Sequence, residues 1–328
     1  MKIAILDPRI QAPGLTKLFP EADYFVVNHN GNYDLDKTPN RFSSTYGFDY
    51  REDLESITGD HYEALFIVYA CHDFKDKRRK DVQHHLKQIM EVLDRSTFKK
   101  LVMFANDDNA LSPVKSCPTI KADLWFKRNY QANVAYPEHV HPFPFVMFGL
   151  ICPLWRVLSE NHSSSEKVDR VIWAGQIGKK RKTHKLRNKS YLSRYKIYNS
   201  EIKEFLTTIQ APNDVYLHAI KQSKFALDIN GIGDPNYRTY ELLTTDTLIL
   251  QQSKDLVWPF EEGDQFSPET IYKTPDEFVE NLEKLRNDEE LYARAIENQQ
   301  YIKKKYFQVE WLRGYLMTRI FHTPSATK

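Results

Sequence analysis

The chain has 328 residues and a mass of 38.7 kDa, which fits about two domains or one large one. Hydrophobic residues make up 41% and charged residues 27%, enough apolar material for a core, so intrinsic disorder is excluded. Lys and Arg number 46 against 44 Asp and Glu, a net charge of +2 that marks neither a nucleic-acid coat nor an acidic tail.

The chain opens on an apolar run, Lys2–Leu6, that predicts a strand stopped by Asp7 and Pro8. The run is too short for a secretory leader and has no small-residue cleavage site after it. Further strands are predicted at Tyr24–Val27, Ala64–Ala70, Lys100–Phe104 and Leu124–Phe126, with the polar stretch Asn28–Arg51 as an irregular loop. Between the third and fourth strands, Val82, Leu86, Ile89, Met90 and Leu93 recur at helical spacing, which predicts a helix over Lys80–Leu93. The most apolar stretch, Phe143–Leu158, is broken by Pro144, Pro153 and Arg156 and falls short of the roughly 20 residues that span a bilayer. No membrane span is expected, and the chain reads as cytoplasmic.

Ser159–Lys167 is polar and Ser-rich, a linker candidate. A new strand is predicted at Val168–Ala174, then helices at Ile202–Thr208 and Val215–Gln222 and a strand at Lys224–Ile229. A Gly-rich loop, a helix at Tyr237–Thr244 and a strand at Thr247–Gln251 follow. Helices near Asp276–Arg286, Glu289–Lys305 and Trp311–Phe321 end the chain. Short apolar runs alternating with amphipathic ones are the pattern of βα units around a parallel sheet. The expected fold is therefore α/β: a Rossmann-like half over residues 1–160, a second over 168–307, and a C-terminal helix and tail over 308–328.

Chemistry concentrates in the second half. Phe225–Glu241 reads strand, glycine loop, helix start, and a loop at the carboxyl end of a parallel strand is where open α/β sheets bind ligands. Gly231 and Gly233 permit close backbone approach. Arg238, in the first helical turn, can grip a phosphate through two donors, and Glu241, three residues on, can accept from ribose hydroxyls. The bland alternative is a tight turn carrying an exposed ion pair. The second segment runs from Lys179 to Lys196 and holds nine Lys and Arg with no Asp or Glu. Lys179 or Arg181 could neutralise a diphosphate there, or the run could be a solvated basic face. Tyr191, Tyr195 and Tyr198 interleave with it, which keeps a non-catalytic polyanion-binding or nucleic-acid-binding module in play.

In the first half, carboxylates expected at strand ends are Asp7, the His72–Asp73 pair and Asp107–Asp108. Any of them could accept the proton released when a hydroxyl acts as nucleophile. His139 and His141 precede an aromatic, proline-rich stretch that reads as core or as the wall of an acceptor groove. Cys71, Cys117 and Cys152 form no CxxC pair, and no P-loop, Gly-x-Ser-x-Gly elbow or Gly-x-Gly-x-x-Gly turn after the first strand is present. Asp34-Leu-Asp36 is an Asp-x-Asp, but it lies in the polar stretch and follows no core strand. No metal site and no cofactor are expected.

The order short helix, strand ending in Asp228-Ile-Asn-Gly231, Arg238 and Glu241 in a helix, then an apolar strand, resembles the donor half of GT-B glycosyltransferases. It is similar to the capsule-associated family 90 enzymes, to exostosin-like transferases and to sugar transferases encoded by large DNA viruses of algae. The resemblance covers about residues 168–305 and implies two Rossmann-like domains flanking a deep cleft, with the first domain taking the acceptor. It implies a hexosyl- or pentosyltransferase that moves a sugar from a nucleotide-sugar, a UDP-sugar, to a glycan hydroxyl on an oligosaccharide or glycoprotein; the absence of a strand-end carboxylate pair adds the expectation that it does so without metal. On the resemblance, Asn230, Gly231, Arg238 and Glu241 map onto the donor-binding stretch; beside them Gly175, Lys179, Arg181 and Thr239 are expected to be donor-binding and Asp73 and His72 catalytic, and nucleic acid is not expected as a partner. The Glu-x7-Glu signature of many retaining GT-B enzymes is not met, because position 233 is Gly.

Overall fold

A computed structural model of the chain describes residues 1–8, 14–26, 54–69, 80–106, 111–144, 163, 166–173, 196, 199–209, 213–229, 237–253 and 255–322. The chain divides into two compact units, Met1–Cys152 together with Leu312–Lys328, and Pro153–Trp311. Each is built on its own parallel sheet.

In the first unit, β1 (Ile3–Leu6), β2 (Asp23–Phe25), β3 (His61–Tyr69), β4 (Thr97–Ala105), β5 (Leu124–Lys127) and β6 (Val140–Pro142) line up in the order β2-β1-β3-β4-β5-β6. Every described pairing is parallel; Ile5 faces Tyr24 on one side and Phe66 on the other, and Phe66 in turn faces Val102. Parallel strands covered on both faces read as unbroken apolar runs, which is why Ile3-Ala-Ile-Leu6 is buried at all four positions. Short helices α1 (Leu15–Leu18), α2 (Glu55–Gly59) and α4 (Pro113–Ser116) and the long α3 (Lys80–Arg95) fill the connections. α3 sets Ile89 and Val92, with Leu86, Met90 and Leu93, against Leu65, Ile67, Leu101 and Met103 of the sheet.

The second unit orders β7 (Val168–Trp173), β8 (Leu206–Thr208), β9 (Ser223–Asp228), β10 (Leu248–Gln252) and β11 (Ile271–Tyr272) as β11-β10-β9-β7-β8. Its helices are α5 (Ile202–Phe205), α6 (Asn213–Lys221), α7 (Tyr237–Leu243), α8 (Pro275–Asn287) and α9 (Glu289–Tyr306). α8 starts sharply: Pro275 takes the first position, Thr274 accepts the Glu277 N–H at 3.2 Å, and the Glu277 carboxylate accepts the Lys273 N–H at 2.6 Å. α9 is fixed to β10 by Gln299, which accepts from the Ile249 N–H at 3.0 Å and donates to the Thr247 carbonyl at 2.9 Å. One side chain thus satisfies two buried backbone groups, the condition for burying them.

One predicted element changes type. Residues 202–208 read as a single helix, but the helix ends at Phe205 and Leu206-Thr-Thr208 forms the edge strand β8, parallel to β7 with Leu206 opposite Val171. Two β-branched threonines favour the pleat, and the pairing partner is non-local, so helical spacing could not reveal it. β6 and β11, of three and two residues, were not predicted.

The last helix, α10 (Val309–His322), starts in the second unit; from Leu312 onward it belongs to the first. Leu312, Leu316 and Ile320 are buried, the Tyr315 hydroxyl donates to the Pro142 carbonyl at 2.9 Å, and Arg313 pairs with Glu21 at 2.5 Å. Arg313 also covers the Phe19 ring at 5.5 Å. Among the described residues, no helix is long and apolar enough to cross a membrane.

Candidate functional site

In an open parallel sheet, ligands bind outside the strand carboxyl ends where the winding direction reverses. In the second unit the chain goes from β7 outward to β8, then returns to β9 on the other side of β7, so the reversal falls between β7 and β9. The segment leaving β7 holds Gly175, Lys179 and Arg181, and the one leaving β9 holds Asn230 and Gly231. These five lie outside the described residues. The first unit reverses between β1 and β3, and β3 ends three residues before His72 and four before Asp73, which also lie outside them, as do Asp34, Asp36, Asp107 and Asp108.

Arg238, Thr239 and Glu241 of α7 are described. The Arg238 Nη1 lies 3.3 Å from Glu241 Oε2, one helical turn away, and both side chains keep about a fifth of their surface, 23% and 22%. Tyr216 of α6, which sequence reasoning missed, completes the group. Its hydroxyl donates to Glu241 Oε2 at 2.5 Å while its ring lies 4.7 Å under the Arg238 guanidinium. Ring and carboxylate together hold the cation in place. Both contacts to Glu241 fall on Oε2. No local pattern could reveal Tyr216, because it comes from another helix.

Thr239 is a different case. It is 1% exposed, and its hydroxyl donates at 2.8 Å to Oδ2 of Asp228, itself 0% exposed at the end of β9. Gln251 of β10 donates to the same oxygen at 3.3 Å. Asp228 and Thr239 bracket residues 230–236, so their bond closes the glycine loop at its base. Tyr272, 2% exposed, is raised well above the usual phenol range by burial and then by the Asp228 charge. Asp228 stood in plain view in the sequence motif, and its strand-terminal position was the signal that could have found it.

Of the first-unit candidates, Asp7 is fully buried and accepts the Tyr24 hydroxyl at 2.6 Å. Burial first, then the charge of Asp7 and that hydrogen bond, drive the Tyr24 phenol up. Such a carboxylate organises the end of β1 and is not exposed to an incoming hydroxyl. His141, on β6, tilts over the Phe126 ring at 6.0 Å, and Phe143 packs against Phe104 and Phe126, so this stretch is core where it is described. Burial, then Arg319 and His139, lower the His141 imidazole to about 4.

The fold is that of the GT-B glycosyltransferases. The DNA-modifying enzyme β-glucosyltransferase, solved with and without uridine diphosphoglucose, matches 98% of this chain over 100% of its own at 14% identity and a TM-score of 0.50. A trehalose-6-phosphate synthase from E. coli, bound with UDP-2-fluoro glucose, matches 97% of this chain over 99% of its own at 10% identity and a TM-score of 0.52. No protein-family model and no curated protein sequence matches the chain.

Two expectations are corrected. The donor site was expected to work without metal, yet the T4 phage β-glucosyltransferase has been solved with UDP and Mn2+, so metal independence does not follow from this fold. The sequence argument used only the absence of a strand-end carboxylate pair, a signature of a different transferase fold. Among the described residues, no group of three or more His, Cys, Asp or Glu is arranged around a common point. Nucleic acid was not expected as a partner; the β-glucosyltransferase that shares the fold is a DNA-modifying enzyme, so the fold does not carry that expectation.

Proposed function

We propose that the chain is a glycosyltransferase that takes a UDP-sugar as donor and moves its hexosyl or pentosyl group to an acceptor hydroxyl. The observation that carries this reading is the reversal point of the second sheet. The two segments that feed it are the glycine loop and the start of the basic run, and Arg238 and Glu241, held by Tyr216 of α6, stand on the helix after the glycine loop. In this reading Lys179 or Arg181 and Arg238 neutralise the diphosphate, Glu241 Oε1 accepts from the ribose hydroxyls, and Asn230 and Gly231 line the phosphates with backbone. Gly175 lets the chain turn closely past the nucleotide. Thr239 holds the loop through Asp228 and does not touch the donor.

As the bond between the sugar's anomeric carbon and the diphosphate breaks, the acceptor oxygen bonds to that carbon. Its proton passes to Asp73, with His72 beside it. The diphosphate leaves with the bonding pair, and the cations meet the charge that grows there.

A glycan is the acceptor proposed first, on the family resemblance. A DNA hydroxyl is the second, favoured by the nine Lys and Arg between 179 and 196 and by the DNA-modifying enzyme of this fold. A thermal-shift series tests the donor: UDP and UDP-glucose should raise the melting temperature, since a ligand of the native state stabilises it. No shift with any nucleoside diphosphate or nucleotide-sugar would sink the reading. Transfer of label from the binding donor to oligosaccharide or to hydroxymethylated DNA then separates the two acceptors.

A further inference from the structure

Beyond β9, at the carboxyl end of β10, the second unit holds a cavity of about 310 Å³ that neither the nucleotide reading nor any first-unit candidate uses. Trp258 and Phe260 stack there at 5.3 Å and 15°, and Phe266 stands edge-on to both at 6.1 Å. All three rings are half-buried, with Phe260 covered in part by Tyr306 and Trp258 by Phe307. Neighbouring half-open aromatics on a folded surface mark binding.

The polar part of the lining is equally specific. Gln251 and Gln265 supply carboxamides, Asp255 and Asp264 carboxylates and Ser253 a hydroxyl, and no Lys, Arg or His lines the cavity among the described residues. A phosphate or another anion would meet aromatic rings and two acids there, and no cation among the described lining residues. A neutral ligand rich in hydroxyls meets acceptors and amide donors, and its C–H face, weakly positive, suits the negative face of an aromatic ring. Asp255 sits at φ 44°, a backbone region uncommon outside Gly, Asn and Asp, which turns this residue at the rim.

The wall is built in advance. Asp264 accepts from Lys305 at 2.8 Å and from the Tyr306 hydroxyl, Lys305 also holds Glu261 at 2.6 Å, and Phe260 stacks on Tyr306 at 4.2 Å. The aromatic loop is thereby pinned to the end of α9, and a preformed site loses less entropy on binding. The geometry points to a binding site for a neutral pyranose ring in this cavity, one that needs no nucleotide to form. Gln251 ties it to the reversal point through Asp228, so the ring can belong to the donor's sugar or to an acceptor glycan.

The test uses the full chain labelled with 5-fluorotryptophan, the Trp258 resonance assigned with Trp258→Phe. Methyl glucosides, galactosides and xylosides are titrated without nucleotide. At least one glycoside should move the Trp258 resonance saturably, and Asp255→Asn and Gln265→Ala, at exposed positions, should each weaken binding about tenfold. That is the loss of about 1.4 kcal/mol expected for one hydrogen bond. Competition by UDP-glucose but not by UDP assigns the ring to the donor, and binding that persists at saturating UDP-glucose assigns it to the acceptor. Silence of the resonance with every neutral glycoside, or a response to glucose 1-phosphate alone, would overturn the proposal. Because no nucleotide is present, failure here and failure of the UDP-sugar reading are separate results.

Discussion

Thr239 and Arg238 are neighbours on α7 with opposite duties, and substitution separates them. Thr239→Val keeps the shape but removes the hydroxyl that serves the buried Asp228 carboxylate. A buried acceptor that loses a donor costs about 1–3 kcal/mol, so urea unfolding should report that loss and Thr239→Ser should recover most of it. Unchanged stability in the valine variant would return Thr239 to the ligand. Arg238→Ala should do the reverse: a retained fold, with transfer at saturating donor lowered by about two orders of magnitude or more. Near-normal turnover would remove its phosphate role. His141 gives a pH test. Its imidazole is lowered to about 4 in the fold, with Arg319 and His139 facing it, while the unfolded chain protonates near 6.5. The unfolded state therefore binds the extra proton between these values, so the His141 contribution is intact above about 6.5 and is lost as pH falls toward 4. His141→Phe should flatten that part of the melting-temperature profile, and an unaltered slope would show that other groups set it.

At the scale of elements, α10 holds to the first unit by two kinds of contact with different weights. Leu316 is fully buried, and Leu316→Ala should cost about 2–5 kcal/mol through lost contacts and an incompletely closed cavity. Tyr315→Phe removes the hydroxyl, with its bond to the Pro142 carbonyl and its contact with Arg319, and keeps the ring beside Phe126 and Phe143, so about 1 kcal/mol is expected in denaturant titration. Equal losses would mean that the helix is held by its polar contact. Helices such as α3 and α9 were legible in the sequence because one apolar face repeats along them, and β1, the centre of β9 and the later residues of β3 and β4 because segments buried on both faces are apolar, whereas the polar starts His61–Glu63 and Thr97–Lys99 were not predicted. The elements that were not legible are short and owe their form to a partner. β6, three residues ending in Pro142, exists because β5 offers it an edge, with Phe126 opposite His141. The site divides in the same way. Arg238 and Glu241 could be paired from their spacing on one helix, whereas Tyr216 and Gln251 reach the group from elements 22 and 13 residues distant from Arg238 in sequence.

For the molecule as a whole, the two-unit division makes one demand that neither sheet makes alone. Residues 312–328 come last in sequence and belong to the unit that begins at Met1. The first unit's stability therefore rests in part on Leu312, Leu316 and Ile320, each fully buried and each contributing about 1.5–3 kcal/mol by removal from water. The second unit keeps its own core of Phe225, Leu227, Leu248, Leu250, Phe278 and Leu282, and Trp311 stays with it against Tyr306. Deleting residues 312–328 should thus act on one unit only. In calorimetry of the truncated chain, a transition should fall sharply in temperature or disappear, while the transition that UDP displaces stays where it was. A loss of several kcal/mol is a large share of the 5–15 kcal/mol that typically holds a domain together, so the effect should not be subtle. If the deletion lowers the UDP-sensitive transition as well, the tail stabilises both units, and if it lowers neither, the three buried side chains contribute nothing measurable.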